Sequence, residues 1–219
     1  MKTLAIDTTG PVVGVAAFDG ARVSVRYARV GRNVEAVLLD WVVECCAELG
    51  FTVGDVDGVA VAVGPGAFTG LRVGLSTAIG LALARGVPMW AGSSLVSRAR
   101  RAAGQGSVIA MLDARKQRVY ASAVVDGVER TGPEDVAPQV AVSWMTAPFV
   151  ATGEGALVYR DVVEAAGGVV FADAEHPAVD VLVRMGADAI ARGEGVAAVD
   201  ITPVYVREPD ARPRAGGST

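Results

Sequence analysis

Residues 62–74 read "AVGPGAFTGLRVG", with four glycines and a proline set between an alternating apolar run and a helix-like one. Backbone this bare must either cradle a ligand or admit another segment at very short range. A Walker-type phosphate loop needs G-x-x-x-x-G-K-[ST]; here Leu71 follows Gly70 and there is no lysine. The dinucleotide fingerprint G-x-G-x-x-G also fails, because one residue too many separates Gly66 from Gly70. Two readings stay open at this point. Thr69 caps the helix from within a simple turn, or free helical N–H groups near Gly64, Gly66 and Thr69 hold an anion.

The helix expected over residues 69–85 narrows the choice. Gly70, Gly74, Ala78 and Ala82 recur every four residues and draw a ridge of small side chains along one face. Leu71, Val73, Leu75, Ile79, Leu81 and Leu83 spread around the rest, so the helix is buried on more than one side. Internal glycines cost about 1 kcal/mol each against alanine, which implies that another helix or backbone approaches the ridge. The helix expected over 34–49, capped by Asn33 and stopped by Gly50, is also too apolar for one contact. Leu38, Val42, Cys45 and Leu49 form one face, and Ala36, Leu39, Val43, Cys46 and Ala47 another. Asp40, Glu44 and Glu48 lie beside Val37 and Trp41. Such a helix either sits deep in a layered core or meets a partner, and its acids suit a basic partner surface.

Along the chain, three strand-like runs come first, with Asp19-Gly20 as a hairpin turn, followed by alternating helix and strand. From residue 107 the pattern restarts with "SVIAMLDAR" and "RVYASAVVDG", a strand leading into a helix over 157–166, and a helix over 179–191. Strands first and then alternation, twice, predicts an α/β protein of two lobes with mixed sheets flanked by helices. Two lobes meeting at a cleft would resemble the two-lobed, actin-like architecture (the ASKHA class, with its ribonuclease H-like motif). The expected divisions are 1–102 for an N-terminal lobe, 103–206 for a C-terminal lobe and 207–219 for a flexible tail.

A net charge of -4 and a pI near 5.1 argue against a dedicated nucleic-acid binder. The basic runs Arg98–Arg100–Arg101 and Arg115–Lys116–Arg118 read as solvated surface or as an RNA-facing patch. The adjacent Cys45 and Cys46 cannot close a loop, so the chain reads as cytoplasmic with reduced thiols. No signal peptide or membrane-spanning run is visible.

Catalytic groups are scarce. His176 stands alone before Pro177 and reads as a surface loop residue, and no metal-ligand spacing or G-x-S-x-G elbow is present. The best polar constellation is Asp7-Thr8-Thr9-Gly10 after the first strand. It is either a hydrogen-bonded turn or, as in actin-like ATP-binding folds, a holder of metal and phosphate. Asp113 and Arg115 would complete a cleft from the second lobe or form a structural ion pair.

Several blocks together carry a resemblance: "LAIDTT", "AVGPGAFTGLRVGLSTAIGLALARGVP", "GSSL", "MLDARKQRVYASAV" and "PVYVRE". They are similar to the TsaB family, small dimerization subunits of the bacterial complex that makes threonylcarbamoyladenosine beside the tRNA anticodon. The resemblance implies an actin-like fold without catalytic competence or cofactor of its own, ATP or ADP being bound only within the complex. It also implies pairing with a TsaD-type catalytic subunit through N-lobe helices, an additional TsaE-type ATPase, a homodimer when alone, and indirect contact with tRNA. The former glycoprotease naming fits nothing in this chain, and a histidine-serine pair common in the family is replaced by Arg32-Asn33. The interface is accordingly expected at Val37, Trp41, Gly70, Gly74 and Ala78, with Gly74→Leu abolishing pairing but sparing the monomer. The rival expectation is an ATP-dependent kinase or ATPase acting through Asp7, Thr8, Thr9 and the Gly64–Gly70 loop. An RNA-binding module built on Arg100 and Arg115 is a third reading.

Overall fold

The computed structural model describes residues 1–30, 34–102, 104 and 106–207. The expected Asn33 cap, the Arg32-Asn33 departure and residues 208–219 of the tail lie outside the described residues.

The chain opens with an antiparallel meander of β1 (Thr3–Asp7), β2 (Val12–Phe18) and β3 (Val23–Arg29). Asp19 closes the second hairpin by accepting the N–H groups of Ala21 and Arg22 at 2.8 and 2.7 Å. Helix α1 (Val34–Glu48) then leads to β4 (Gly58–Ala62), helix α2 (Phe68–Arg85) and β5 (Met89–Gly92), with β4 parallel to both β1 and β5. The sheet order is β3-β2-β1-β4-β5. After α3 (Ser94–Arg101) the plan repeats with β6 (Val108–Arg115), β7 (Arg118–Val125) and β8 (Val128–Val136). Then come α4 (Pro138–Ser143), β9 (Phe149–Thr152), α5 (Glu154–Val158), α6 (Arg160–Ala165), β10 (Gly168–Val170) and α7 (Val179–Ala191). The second sheet has the order β10-β9-β6-β7-β8, which is the first sheet's layout again, counted from each half's opening strand. This duplicated ribonuclease H-like motif is the two-lobed, actin-like α/β architecture expected from the sequence.

Strand alternation builds the layers. In the first sheet Leu4, Ile6, Val15, Val59 and Val61 point toward α1 and α2. The intervening Ala5, Ala16, Ala60 and Ala62 point to the other face, where Val179, Leu182 and Val183 of α7 lie. The alanines let α7 come close: a Cβ on Gly186 would overlap the Cβ of Ala60. In the second sheet Val108, Ala110 and Leu112 meet Leu95 and Ala99 of α3. Ile109 and Met111 face the opposite side, with Ala141, Ala156 and Val163 from α4, α5 and α6. The order is therefore α1/α2, sheet, α7/α3, sheet, α4–α6.

This layering crosses the division expected at residue 102. Helix α3 precedes the expected boundary but covers the second sheet, whereas α7 follows it and covers the first. Arg207 was assigned to the tail; its Nε donates to Asp135 Oδ2 at 2.6 Å and its Nη1 to Ala114 O at 2.9 Å. The helix expected over 157–166 begins earlier, at Glu154, and breaks at Tyr159. Strand β8 was not anticipated, because Gly132 and Pro133 interrupt its pattern; its edge position tolerates a proline.

The small-residue ridge of α2 faces inward. Ala78 and Ala82 are buried in the first core, and a Cβ on Gly70 or Gly74 would overlap Thr8. Gly74 and Ala78 thus pack within the protomer, and half-exposed Gly70 abuts Thr8 O. Gly74→Leu is expected to destabilise the isolated protein by about 3 kcal/mol through overpacking. Gly80, which has nothing within 4 Å of its added Cβ, serves as control: Gly80→Leu is expected to be neutral or to gain about 0.5 kcal/mol. Urea unfolding of both variants checks the pair.

Candidate partner face and interlobe cleft

The loop after β1 and the start of α2 hold each other. Thr8 Oγ1 donates to Gly70 O at 2.7 Å, and Ala67 N donates to Thr9 O at 2.8 Å. A Cβ on Gly66 would overlap the Thr9 backbone, and one on Gly64 would lie 2.7 Å from Val204 O. The glycine block is therefore filled by the chain's own backbone. Helix α2 takes Ala67 as its N-cap, without a side-chain cap bond, and Thr69 is exposed in its first turn. Capping by Thr69 does not occur.

Asp7 anchors the loop from beneath. Its Oδ1 accepts Thr9 N at 2.9 Å and Thr9 Oγ1 at 2.6 Å. Its Oδ2 accepts Arg98 Nη1 at 2.8 Å, and the same Nη1 donates to Ser94 O at 2.8 Å. Arg98 and Asp7 are each 1% exposed. Arg98 was expected at the surface; it is an interior cation facing the carboxylate that a metal or phosphate site would need. Arg101 is likewise internal to the fold, donating to the carbonyls of Asp173, His176 and Pro177 at 2.8, 2.7 and 3.0 Å. His176 is half-buried and tied to Asp173, with its ring 4.3 Å from that of Tyr27. Asp113 and Arg115 form an ion pair at 3.2 Å.

A cleft of about 480 Å³ opens between the lobes, lined by Thr9, Gly10, Phe68, Glu154, Tyr205 and Arg207 among others. Glu154 starts α5 and was not anticipated; nothing in its local pattern marks it. Burial pushes its carboxyl up to about 7, the Arg98 charge pulling the other way and Asp7 adding to the rise. Among the described residues, no three His, Cys, Asp or Glu side chains are grouped as a metal would require.

On the far side of the first sheet, α1 turns a continuous apolar stripe outward. Leu39 and Val43 are 52% and 57% exposed, and Ala36 and Ala47 extend the stripe at both ends. Neighbouring α2 adds Leu83, Ala84, Gly80 and Ser76. Val37 and Trp41 are half-buried, Trp41 against the protomer's own core. Two of the three acids beside them, Glu44 and Glu48, are paired within the protomer, while Asp40 is exposed. Arg26 of β3 pairs with Glu44 at 3.2 Å and with Glu48, and Ser24 also donates to Glu48.

Removing one partner of the Asp7–Arg98 pair leaves a charge buried without an opposite. Arg98→Met is expected to cost about 3–5 kcal/mol. The double variant with Asp7→Asn is expected to cost less than the sum of the two single changes, as read by a thermodynamic cycle in urea.

Residues 27–147 match the family model of TsaD, tRNA N6-adenosine threonylcarbamoyltransferase. The chain is 29% identical to the tRNA threonylcarbamoyladenosine biosynthesis protein TsaB of Escherichia coli, over 94% of this chain and 95% of that protein. It superimposes on YeaZ from Pseudomonas aeruginosa with a TM-score of 0.81 at 32% identity, covering 93% of this chain and 99% of that one. A second Pseudomonas aeruginosa structure, described as similar to peptidase YEAZ, gives 0.82 at 32% identity over 94% and 99%. Helix, loop and sheet agree along nearly the full length, and the chain belongs to the TsaB/YeaZ family, within the wider threonylcarbamoyltransferase-related group.

Proposed function

We propose that this chain takes part in making threonylcarbamoyladenosine in tRNA, as a non-catalytic scaffold and activator of a TsaD-type subunit. The observation that carries this reading is the stripe of Ala36, Leu39, Val43 and Ala47 beside exposed Leu83, on two helices whose other faces are already buried. An apolar stripe continuous across two neighbouring helices is what a helical interface needs and a solitary surface does not. The partner would lay its own helices on α1 and α2, and in its absence a second copy of this chain would cover the same stripe. A TsaE-type ATPase would join the pair, and tRNA would be met through the partner rather than through this acidic chain.

The ATPase reading is disfavoured by the same geometry. Both Asp7 oxygens are engaged by Thr9 and Arg98, and Gly66 and Gly70 pack closely on the backbone of Thr9 and Thr8. A nucleotide would then act on the assembled complex, with no cofactor resident in this chain alone.

Leu39→Glu with Val43→Glu places charges on the stripe without touching the core. At a dilution where the chain is monomeric, the double variant is expected to keep the wild-type melting temperature within about 2 °C, because surface substitutions change stability by about 0.5 kcal/mol or less. It is expected to lose co-purification with the TsaD-type subunit and to lower modified tRNA at least tenfold in a reconstituted reaction. Unchanged pairing and unchanged modification would contradict the proposal.

A further inference from the structure

The outward arc of α2 carries an ordered cation at its N-terminal end. At about 100° per residue, Thr69, Arg72, Ser76, Gly80 and Leu83 fall within about 80° of one another. All five are exposed, and Arg72 is the one charge among them, about 16 Å along the axis from Leu83. Its guanidinium lies 3.8 Å over the Phe68 ring, and its Nε donates to the Tyr205 hydroxyl at 3.2 Å. The Tyr205 ring is itself 5.1 Å from that of Phe68. The segment bearing Tyr205 is held on both sides, since Val204 N donates to Val63 O at 2.7 Å and Arg207 Nε to Asp135 at 2.6 Å.

These contacts order the guanidinium without neutralising it. Its two terminal nitrogens make no hydrogen bond among the described residues, no carboxylate there pairs with it, and α2 itself carries no acid. Arg29, Arg115, Arg160 and Arg192, also exposed, each pair with a carboxylate of this chain. Arg72 is ordered by a ring and a phenol instead. A helix laid along Ser76, Gly80 and Leu83 would reach Arg72 and draw water away from it. A cation covered in that way is costly unless an opposite charge arrives with the cover.

Resting on the docking face proposed above, we infer that Arg72 is its charge-reading end: the TsaD-type partner sets a carboxylate of its own against Nη1 and Nη2. With Nε already engaged, these two nitrogens offer the paired, parallel donors that suit a carboxylate. The Phe68 stack and the Tyr205 bond order the side chain before the partner arrives, so little freedom is lost on docking. The apolar stripe supplies contact area, and Arg72 supplies register and discrimination, since a partner with a cation or an apolar residue at that point is disfavoured.

The test titrates the full chain, at a dilution where it is monomeric, with the TsaD-type subunit at about 50 mM and about 500 mM salt. Arg72→Gln is expected to weaken binding at least about tenfold at the lower salt and by a smaller factor at the higher, because screening removes the parent's advantage. Arg72→Glu, which repels a carboxylate, is expected to weaken it further. Arg85→Gln removes the same net charge at the other end of α2, off the arc, and is expected to stay within about twofold of the parent. Binding by Arg72→Gln within about twofold of the parent, or an equal loss in Arg85→Gln, would overturn the inference. The chain carrying Leu39→Glu and Val43→Glu separates the two claims in the same titration. Pairing lost there but kept in Arg72→Gln removes only the role of Arg72, whereas pairing kept there removes the docking face and this inference with it.

Discussion

Arg98 holds a positive charge in an interior with almost no access to water, and Asp7 is the carboxylate that answers it. Much of the molecule is arranged around that pair. Asp7 ends the central strand of the first sheet; Arg98 projects from α3, which covers the second sheet. The pair therefore ties the two duplicated halves together. On its other oxygen Asp7 fixes the Thr9 turn, and that turn receives the bare backbone of α2. A larger residue at Gly66, Gly70 or Gly74 would push α2 off the loop and disturb the pair beneath it.

On the proposed reading, the same arrangement would set this chain apart from ATP-binding proteins of actin-like architecture. In a phosphate-binding cleft the carboxylate after the first strand has to face a metal or a ligand. Here its lone pairs are taken by Thr9 and by an arginine from the neighbouring helix. On the proposed reading the Asp7 site is structural and the apolar stripe on α1 and α2 serves the partner, so that fold and function would diverge through a few residues, Arg98 foremost, while the strand order stays the same.

Much of the architecture was legible in the sequence because local signals and tertiary demands agreed there. The meander, the Gly50 stop and the two helices of the first lobe all follow from alternation, glycine and helical periodicity. What could not be read was long-range partnership. A small ridge on α2 says only that something comes close, and Thr8 of the same chain meets the description as well as a partner helix does. The face holding Leu39 and Val43 was already separable from the Leu38–Val42–Cys45 face, but periodicity alone does not say which one is covered. Arg98 looked like part of a basic surface run, since its partner lies 91 positions away. Glu154 carried no signal, because its setting is made by β1, α3 and β6 rather than by its own neighbours.

The central claim is that one outward face, on α1 and α2, is where this chain meets its partner. Amide hydrogen exchange on the chain alone, diluted until it is monomeric, and mixed with the TsaD-type subunit tests it most directly. The account requires new protection concentrated in residues 34–48 and 68–85, with the second sheet and its outer helices unchanged. Protection centred on α4–α6 or on the cleft mouth, with α1 exchanging as before, would contradict it.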